Sequence, residues 1–378
     1  MKNIMVFFGG KSCEHDISII TGIQVVNSLD ITKYNVFPIY IGKSGKWFYS
    51  PNFKTVKQFI GFNENQKNVF LIAGDNCLYA KKIGTKPIAK MDCAIICCHG
   101  MNGEDGTLQG LLELCEIPYS SSNVLSSSVC MDKIFMKQIF EVNNLPVVPY
   151  SWFLKTEYEA DEKQVLKKIK QELDFPMLVK PANLGSSIGI TKCENELDLI
   201  KGIEIAKCYD TRIVVEEAVP HLKEINCAGL GNGENVEISN LEEPISWQKF
   251  LSFEQKYLNY TNTKFEIKKT MSISKTLKAK IKKLTKFAFT KLSCSGVVRI
   301  DYLINTDTDD LYINEINSIP GSLANFLFPK HNFTTLLNKL IDIAEEKHHQ
   351  KQDCSFTYDS DVLTKFNETD LGAKLKLK

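Results

Sequence analysis

The segments "VVRIDYLI" (297–304) and "LYINEINS" (311–318) decide the fold of this chain of 378 residues. Each places polar residues within an apolar run, and a turn-rich stretch, 305–310, lies between them. Such a pair predicts a β-hairpin, in which side chains two residues apart share a face. Arg299 and Asp301 are then expected on one face with Glu315 and Asn317. The opposite face is expected to hold Val298, Ile300, Tyr302, Tyr312 and Ile316.

The polar face of this hairpin is a candidate metal site. It would gather two carboxylates, an amide oxygen and a guanidinium in one place. Hard oxygen donors suit Mg²⁺, which keeps few protein ligands and takes the others from phosphates and water. Arg299 beside them is suited to stabilise developing negative charge. The alternative is a solvated face with incidental charge pairs, but the charges stand in the apolar strands and not in the turn, which favours a functional site.

Length and composition are typical of a globular protein with two or three domains. The 46 Lys and Arg residues nearly balance the 45 Asp and Glu residues, so the net charge favours neither nucleic acid nor a membrane surface as a partner. No apolar run approaches the ~18 residues that span a bilayer, and no signal-peptide pattern begins the chain. The 12 cysteines lack zinc-like paired spacing, and we expect reduced core thiols in a cytoplasmic protein.

Strand-like runs alternate with helical patterns, which predicts an α/β protein. Three segments and a tail, which is disordered or loosely docked, are expected at 1–130, 131–215, 216–350 and 351–378. Strands are expected at 4–8, 36–41 and 94–98, in two runs around 181–189, in two runs near 212–230, and in the hairpin. Helices are expected after residue 14, over 108–115, from Met131, over 277–292 and over about 333–347. A polar loop is expected near 246–271.

The stretch "GGKSCEHD" (9–16) follows the first strand and looks like a phosphate-binding loop. A P-loop would need its first glycine at Met5, which lies inside the strand, so that motif is excluded. Glu14 and Asp16 remain at the point where a strand hands over to a helix, which suits a cationic ligand group. Local sequence alone favours the alternative that both carboxylates cap the helix.

Three further stretches carry candidate binding residues. In "LVKPANLGSSIGI" (178–190), small residues around Ser186 and Ser187 could close over phosphate oxygens, although an ordinary hairpin turn would look similar. Lys180 and Lys133 could add positive charge for a polyphosphate. The stretch "IVVEEAVPHLKEINCAGL" (213–230) offers carboxylates for a base amine and ribose hydroxyls, or for a polar strand edge: Glu216, Glu217 and Glu224. A histidine at a strand end, such as His99, is more often structural than catalytic, and no hydrolytic triad or zinc motif is present.

Taken in order over about the first 345 residues, these motifs resemble those of the D-alanine–D-alanine ligases of the ATP-grasp superfamily. The matching segments are "GGKSCEHDIS", "HGMNGEDGTLQG", "MDK", "VKPANLGSSIGI", "VEEAV…KEINCAGLG", "FEQKY", "GVVRIDYLI" and "NEINSIPG". The resemblance implies a three-domain ATP-grasp fold with an N-terminal Rossmann-like domain (1–130) that holds the first substrate. ATP is then held between a central domain (131–215) and a C-terminal domain (216–350). A homodimer is implied by the resemblance alone.

The resemblance also implies a role for individual residues. Glu14 would bind the ammonium of the first D-alanine, in a hydrogen-bonded set with Ser186 and Tyr257, and His99 would lie close by. ATP would be bound by Lys133, Lys180, Ser187, Glu216, Glu217, Val219, Glu224 and Lys256. Two Mg²⁺ ions, replaceable by Mn²⁺, would be held by Asp301, Glu315 and Asn317. Arg299 and the Gly321 N–H would form an oxyanion site, and the second substrate would contact Ser322, Asn325 and Leu327.

Two departures from the family pattern bear on the second substrate and on the loop over the site. The loop reads "FLSFEQKY" (250–257), with Leu251 and Ser252 where the family commonly has an aromatic residue and an aspartate. In "GSLANFLF" (321–328), Phe326 stands where a serine that binds the second carboxylate is expected. The resemblance as a whole implies D-alanine–D-alanine ligation for peptidoglycan precursors. The alternatives are D-serine or another D-amino acid as acceptor, and a nucleotide-binding regulator without turnover.

Overall fold

The computed structural model describes residues 1–80, 86–244 and 273–365, and these form a mixed α/β protein, as predicted. Its strands are β1 (Lys2–Gly9), β2 (Tyr34–Ile41), β3 (Trp47–Tyr49), β4 (Val69–Ile72), β5 (Asp75–Ala80), β6 (Pro87–Lys90), β7 (Cys93–Ile96), β8 (Tyr150–Leu154), β9 (Met177–Pro181), β10 (Thr191–Cys193), β11 (Arg212–Glu217), β12 (Leu222–Asn232), β13 (Asn235–Glu242), β14 (Ser295–Asn305) and β15 (Leu311–Asn317). Its α-helices are α1 (His15–Ser28), α2 (Thr107–Leu114), α3 (Val124–Met131), α4 (Lys133–Val142), α5 (Lys155–Ala160), α6 (Glu162–Glu172), α7 (Glu196–Ala206), α8 (Lys275–Lys291), α9 (Phe333–Gln352) and α10 (Val362–Lys365). Two 3₁₀ helices cover Val56–Phe59 and Gly321–Leu327.

The first sheet contains seven strands in the order β6-β5-β4-β3-β2-β1-β7. Its strand β1 is parallel to both β2 and β7, and its apolar run from Ile4 to Phe8 is fully buried. Because parallel strands end at the same edge, the loop after β1, at Gly9, and the loop after β7, at His99, come together there. The short antiparallel strands β3–β6 were not predicted, since none is long enough to show a clear alternation.

The second sheet is antiparallel, in the order β10-β9-β11-β8. The strand expected from Ile188 begins only at Thr191. Ser186, Ser187 and Gly189 have φ values of 54°, 57° and 74°, and this left-handed conformation is incompatible with a strand.

The helix predicted from Met131 begins at Lys133 as α4, and the preceding helix α3, which ends at Met131, was not predicted. Asp132 separates them with an extended backbone (φ −89°, ψ 107°), and its side chain accepts hydrogen bonds from the N–H groups of Ile134 and Phe135. This N-cap starts α4 directly at Lys133.

The third sheet is antiparallel, in the order β13-β12-β14-β15, and contains the predicted hairpin. Asp301 lies opposite Glu315, and Arg299 lies opposite Asn317, so the four polar side chains share a face as expected. A β-bulge follows, because Tyr302 pairs with Ile313 and leaves Asn314 as the extra residue. The bulge puts Tyr312 opposite Leu303, and therefore on the polar face. The prediction that Tyr312 turns to the opposite face was wrong.

One large hydrophobic core joins the first sheet to the end of the chain. Leu336, Leu337, Leu340 and Ile341 of α9 pack into the same cluster as β1 and β7. The helix runs to Gln352, further than the predicted end. The second sheet has its own core, which includes Phe153 of strand β8 and Ile169 of helix α6.

The sequence predicted that the cysteines are reduced thiols in the core. All 12 cysteines are free thiols and most are buried, but Cys13, Cys208 and Cys354 are exposed, so the expectation of core thiols was wrong for these three.

Among the helices of the described residues, none combines the length and apolar character that crossing a bilayer requires.

Candidate active site

A small cavity of about 30 Å³ lies where the three sheets meet. Its walls come from the loop after β1, the loop after β7, helices α3 and α4, the loop after β9, and strand β15. The charged residues that line it are Glu14, Glu104, Lys133 and Glu315. The cavity therefore brings together candidate residues that are up to 303 positions apart in the chain, Glu14 and Asn317.

Glu14 and Ser186 are in direct contact at this junction. Glu14 occupies the N-cap position of α1 but makes no side-chain capping hydrogen bond; its carboxylate accepts a hydrogen bond from the Ser186 hydroxyl instead. The capping interpretation of Glu14 was therefore wrong. A Cβ atom at Gly185 would lie 2.9 Å from Glu14 Oε2, and one at Gly100, where φ is +72°, would lie 2.7 Å from it. The left-handed backbone at Gly100 favours glycine, and a side chain at Gly185 would displace the Glu14 carboxylate.

His99 is buried next to this pair and is held as a neutral ring. Burial lowers its pKa, and Nδ1 lies 2.7 Å from the Ile319 carbonyl oxygen. Because a carbonyl only accepts, Nδ1 carries the proton. Nε2 then accepts a hydrogen bond from the Thr21 hydroxyl, at 2.9 Å. His99 thus ties the first sheet to the segment that follows β15.

Lys133 lines the cavity, whereas Lys180 is not one of its lining residues. Lys133 Nζ donates to the Leu184 carbonyl oxygen at 2.7 Å and lies 3.8 Å from a Glu315 oxygen. Lys180 Nζ lies 2.6 Å from Glu216 Oε2 and 3.4 Å from Asn314 Oδ1. The bulge at Asn314 therefore turns an amide side chain toward this lysine.

Glu216 lies between two lysines, one of which the sequence analysis missed. Lys137 Nζ is 3.0 Å from Glu216 Oε1, and the side chains of both residues are essentially inaccessible. Burial raises the pKa of the Glu216 carboxyl, but Lys137 and Lys180 outweigh it and lower that pKa to about 2. Burial lowers the pKa of Lys137. The spacing from Lys133 to Lys137 places both on one helical face, and this was the signal available in the sequence.

The remaining nucleotide candidates lie along β11, β12 and the loops beside them. Glu217 accepts a hydrogen bond from the Asp174 N–H at 3.0 Å, and Val219 is half-buried after β11. Glu224 lies opposite Leu303, on the same sheet face as Asp301. Ser187 stands in the left-handed turn beside Ser186. Lys256 and Tyr257, with the altered positions Leu251 and Ser252, lie outside the described residues.

The polar face of the hairpin is held by a bidentate ion pair. Arg299 donates from Nε and Nη2 to the two oxygens of Asp301, at 2.7 and 2.8 Å, and Asn317 Nδ2 donates to Oδ2 at 3.0 Å. Burial lowers the pKa of Arg299, but Asp301 outweighs it and raises that pKa. Burial raises the pKa of Asp301, and Arg299 offsets this only in part.

Asp301, Glu315 and Asn317 fit a hard divalent cation by the chemistry of their donors. Two carboxylates and an amide leave most coordination positions to phosphate and water, as Mg²⁺ requires. Within the described ranges, no group of three or more His, Cys, Asp and Glu side chains forms a metal-binding cluster. Such a cluster would be expected for a cation held by protein ligands alone. The predicted Mg²⁺ site is of a different kind, because phosphate and water supply most of its ligands.

The turn after β15 is strained and is anchored to α1. Ser322, Leu323 and Ala324 have φ values of 48°, 49° and 49°, a conformation that costs roughly 1–3 kcal/mol for each non-glycine residue. The Ser322 N–H donates to Thr21 Oγ1 at 3.2 Å, and its hydroxyl donates to Gln24 Oε1 at 2.7 Å.

The other candidates in this turn differ in their surroundings. A Cβ atom at Gly321 would meet nothing within 4 Å, which leaves space beside its N–H. Asn325 has a buried side-chain oxygen without a hydrogen-bond partner. Leu327 is buried in the first core, against which Phe326 also packs. The Leu327 side chain is therefore part of the core.

Residues 3–122 match the family model "D-ala D-ala ligase N-terminus", and residues 139–342 match "D-ala D-ala ligase C-terminus". The chain belongs to the D-alanine–D-alanine ligase family. This ligase family was the one that the ordered motifs resembled, so the prediction from sequence is confirmed.

Individual relatives agree with this family assignment. The chain is 36% identical over 365 residues to the D-alanine–D-alanine ligase of Chloroherpeton thalassium, covering 93% of this chain and 98% of the relative. The solved D-alanine–D-alanine ligase of Coxiella burnetii is similar with a TM-score of 0.77 and 27% identity, over 93% of this chain and 98% of that one. The VanG D-Ala:D-Ser ligase of Enterococcus faecalis is similar with a TM-score of 0.75 and 27% identity, over 91% and 99% of the two chains. The D-alanine–D-alanine ligases are ATP-grasp enzymes, which confirms the predicted fold.

Proposed function

We propose that this protein joins D-alanine to a second D-alanine through an acyl-phosphate intermediate, with ATP converted to ADP, to supply peptidoglycan precursors. Membership of the ligase family supports the reaction class. The observation that carries the proposal is the single cavity lined by Glu14, Lys133 and Glu315. A group for an ammonium, a group for phosphate and a group for a metal ion thus face the same small space.

The first D-alanine binds on the side of the first sheet. The Glu14 carboxylate, oriented by Ser186, binds the substrate ammonium as a charge-assisted hydrogen bond. His99 stands beside it as a neutral ring. Tyr257 completes the set that positions this substrate.

ATP binds between the second and third sheets. Lys133, Lys180 and Lys256 contact the phosphates, and the Ser187 turn closes over them. Glu216, Glu217 and Glu224 contact the adenine amine and the ribose, with Val219 against the base. The excess of buried positive charge around Glu216 (two lysines to one carboxylate) favours an anionic ligand close by.

Two Mg²⁺ ions bind at Asp301, Glu315 and Asn317, and Mn²⁺ can replace them. When bound, the ions neutralise charge on the transferring phosphoryl group. Glu315 lies 3.8 Å from Lys133, so the metal-binding strand and a phosphate-binding lysine are adjacent.

The chain's own residues then position two successive steps. In the first, the carboxylate of D-alanine, fixed through its ammonium at Glu14, attacks the γ-phosphoryl group. In the second, the amine of the acceptor attacks the acyl phosphate, and Arg299 with the Gly321 N–H stabilises the tetrahedral oxyanion. Loss of one such donor typically costs about 3–4 kcal/mol of barrier. The segment with Lys256 and Tyr257 keeps water from the acyl phosphate.

D-Serine is the second candidate for the acceptor. Phe326 replaces the serine expected to bind the second carboxylate, and it packs against the core. Ser322 and Asn325 are the polar residues near enough in sequence to take that role. The similarity to a D-Ala:D-Ser ligase agrees with this alternative. Tyr257 argues against a hydroxy acid as acceptor.

A phosphate-release assay with mass analysis of the product tests the proposal. Purified protein, ATP, Mg²⁺ and D-alanine should release phosphate and yield D-alanyl-D-alanine. Absence of release with any D-amino acid would overturn the ligase function and favour an ATP-binding regulator. A mixed dipeptide as main product from equal D-alanine and D-serine would assign D-serine as acceptor. Light scattering of the same preparation tests the homodimer, and cell fractionation tests the cytoplasmic location.

A further inference from the structure

Glu104 is a buried carboxylate for which the sequence analysis assigned no role. It lies in the loop between β7 and α2 and connects two parts of the fold. Its Oε2 accepts the Gly100 N–H at 2.8 Å, and its Oε1 accepts the Ile319 N–H at 2.9 Å. Gly100 belongs to the loop that faces Glu14, and Ile319 immediately precedes the Pro320–Gly321 turn.

The position of Glu104 places it between the two proposed substrate sites. Its side chain lines the central cavity together with Glu14 and Glu315. It is hydrogen-bonded to Ile319, which precedes Gly321 by two residues in the chain. The N–H of Gly321 is the proposed oxyanion donor. The carboxylate therefore lies between the loop that faces Glu14 and the turn that carries the proposed oxyanion donor.

The surroundings of Glu104 shift its pKa into the range of a base that acts near neutral pH. Burial raises its pKa to about 8, with a further contribution from Glu14. The N–H groups of Gly100 and Ile319 and the charge of Arg299 oppose this rise. The titratable groups that face it from the surrounding elements are Glu14, Cys98, His99, Cys130, Lys133, Arg299 and Glu315.

We infer that Glu104 is the general base that takes the proton from the ammonium group of the acceptor amino acid, an inference that rests on the proposed function. One N–H bond of the ammonium breaks and its proton moves to a carboxylate oxygen of Glu104. The freed electron pair of nitrogen attacks the acyl carbon. The bond from that carbon to the phosphate oxygen then breaks, and the departing phosphate takes the bonding electrons together with the second proton that the nitrogen loses on becoming an amide.

The neighbouring groups are less suited to this role. His99 donates from Nδ1 to Ile319 and accepts at Nε2 from Thr21, so its ring has no electron pair left for a substrate proton. Glu14 is engaged by Ser186 and is assigned to the ammonium of the first substrate. Each Glu104 oxygen accepts one backbone N–H and keeps a second lone pair.

The decisive experiment compares two acceptors for the same acyl phosphate. Hydroxylamine is largely unprotonated at neutral pH, so it needs no base, whereas an amino acid must lose a proton. We expect Glu104→Gln to lower dipeptide formation by about 100-fold or more, and D-alanine hydroxamate formation by less than about threefold. In the unchanged protein, dipeptide formation should rise with pH toward a plateau above about 8. In the variant that plateau should be lost, and the remaining activity should keep rising to higher pH as the acceptor ammonium itself deprotonates.

Asp105→Asn is the matched control, because Asp105 accepts the N–H groups of Asn102 and Thr107 in the same loop. A purely structural effect on the loop should appear in this control and should lower both products equally. Equal loss of dipeptide and hydroxamate in Glu104→Gln would overturn the role as base. Absence of both products from the unchanged protein would overturn the proposed function, and the inference with it.

Discussion

Arg299 and Asp301 form a bidentate ion pair within one strand, with donor–acceptor distances of 2.7 and 2.8 Å. The pair fixes the plane of the guanidinium, because two parallel hydrogen bonds allow little rotation. Arg299 is therefore oriented before any substrate binds, which is the condition under which a cation stabilises an oxyanion efficiently.

Replacement of Arg299 by alanine should remove turnover and spare nucleotide binding. We expect turnover to fall by about 100- to 1,000-fold, because one oxyanion donor is lost. The dissociation constant for ATP, measured by calorimetry, should change by only a few-fold. Arg299→Lys, which keeps the charge but loses the fork, should be intermediate. Equal losses of turnover and ATP affinity would contradict the oxyanion assignment.

Replacement of the carboxylates on the hairpin should weaken the metal requirement selectively. In Asp301→Asn and Glu315→Gln, the Mg²⁺ concentration for half-maximal activity should rise by about 10-fold or more, because a charged ligand becomes neutral. The control is Asp307→Asn, which changes an exposed carboxylate in the turn of the same hairpin. If all three variants respond alike to Mg²⁺, the metal assignment is wrong.

Variants of Glu14 and Asp16 distinguish a role in substrate binding from a role in helix capping. We expect Glu14→Gln to raise the KM for the first D-alanine by about 10- to 100-fold, since a charge-assisted hydrogen bond is lost, with little change in Tm. Asp16, an exposed residue in the first turn of the same helix, should tolerate Asp16→Asn with KM unchanged. A similar fall in Tm for both variants, with no change in KM, would restore the capping interpretation.

Lys347 should make stability depend on pH in the alkaline range. Its Nζ donates to the carbonyl oxygens of Ser121 and Tyr119, and burial lowers its pKa to about 8. The unfolded chain, with a lysine pKa near 10.4, binds more protons than the folded protein between these values, so stability should rise with pH over that window by at most about 3 kcal/mol. Urea denaturation at pH 8 and pH 10 measures this rise. The rise in stability should be smaller in Lys347→Met. An identical rise in both proteins would contradict the role assigned to Lys347.

The hairpin was the part of the site that sequence could predict in most detail. Alternation of polar and apolar residues fixes which side chains share a face, so Asp301 and Glu315 were placed together correctly. The bulge at Asn314 interrupts the alternation, since Asn314 and Glu315 are adjacent polar residues, but the interruption alone does not show which residue is the extra one. Every position beyond the bulge is therefore assigned to the wrong face, as happened for Tyr312.

The residues that the sequence analysis missed share a physical reason. Lys137 and Glu104 are charged residues that become buried only through partners far away in sequence, Glu216 and the Ile319 N–H. A charged residue is normally expected on the surface. Its burial can be recognised only after the tertiary structure has brought its partners to it.

Helix α9 has a consequence for how the molecule is made. Its leucines complete the core of a sheet whose first strand leaves the ribosome more than 300 residues earlier. Until the last helix emerges, the nascent first sheet exposes an uncovered apolar side, so we expect this region to remain dependent on chaperones through most of translation. The second sheet, whose core is separate, is free to consolidate while synthesis is still under way.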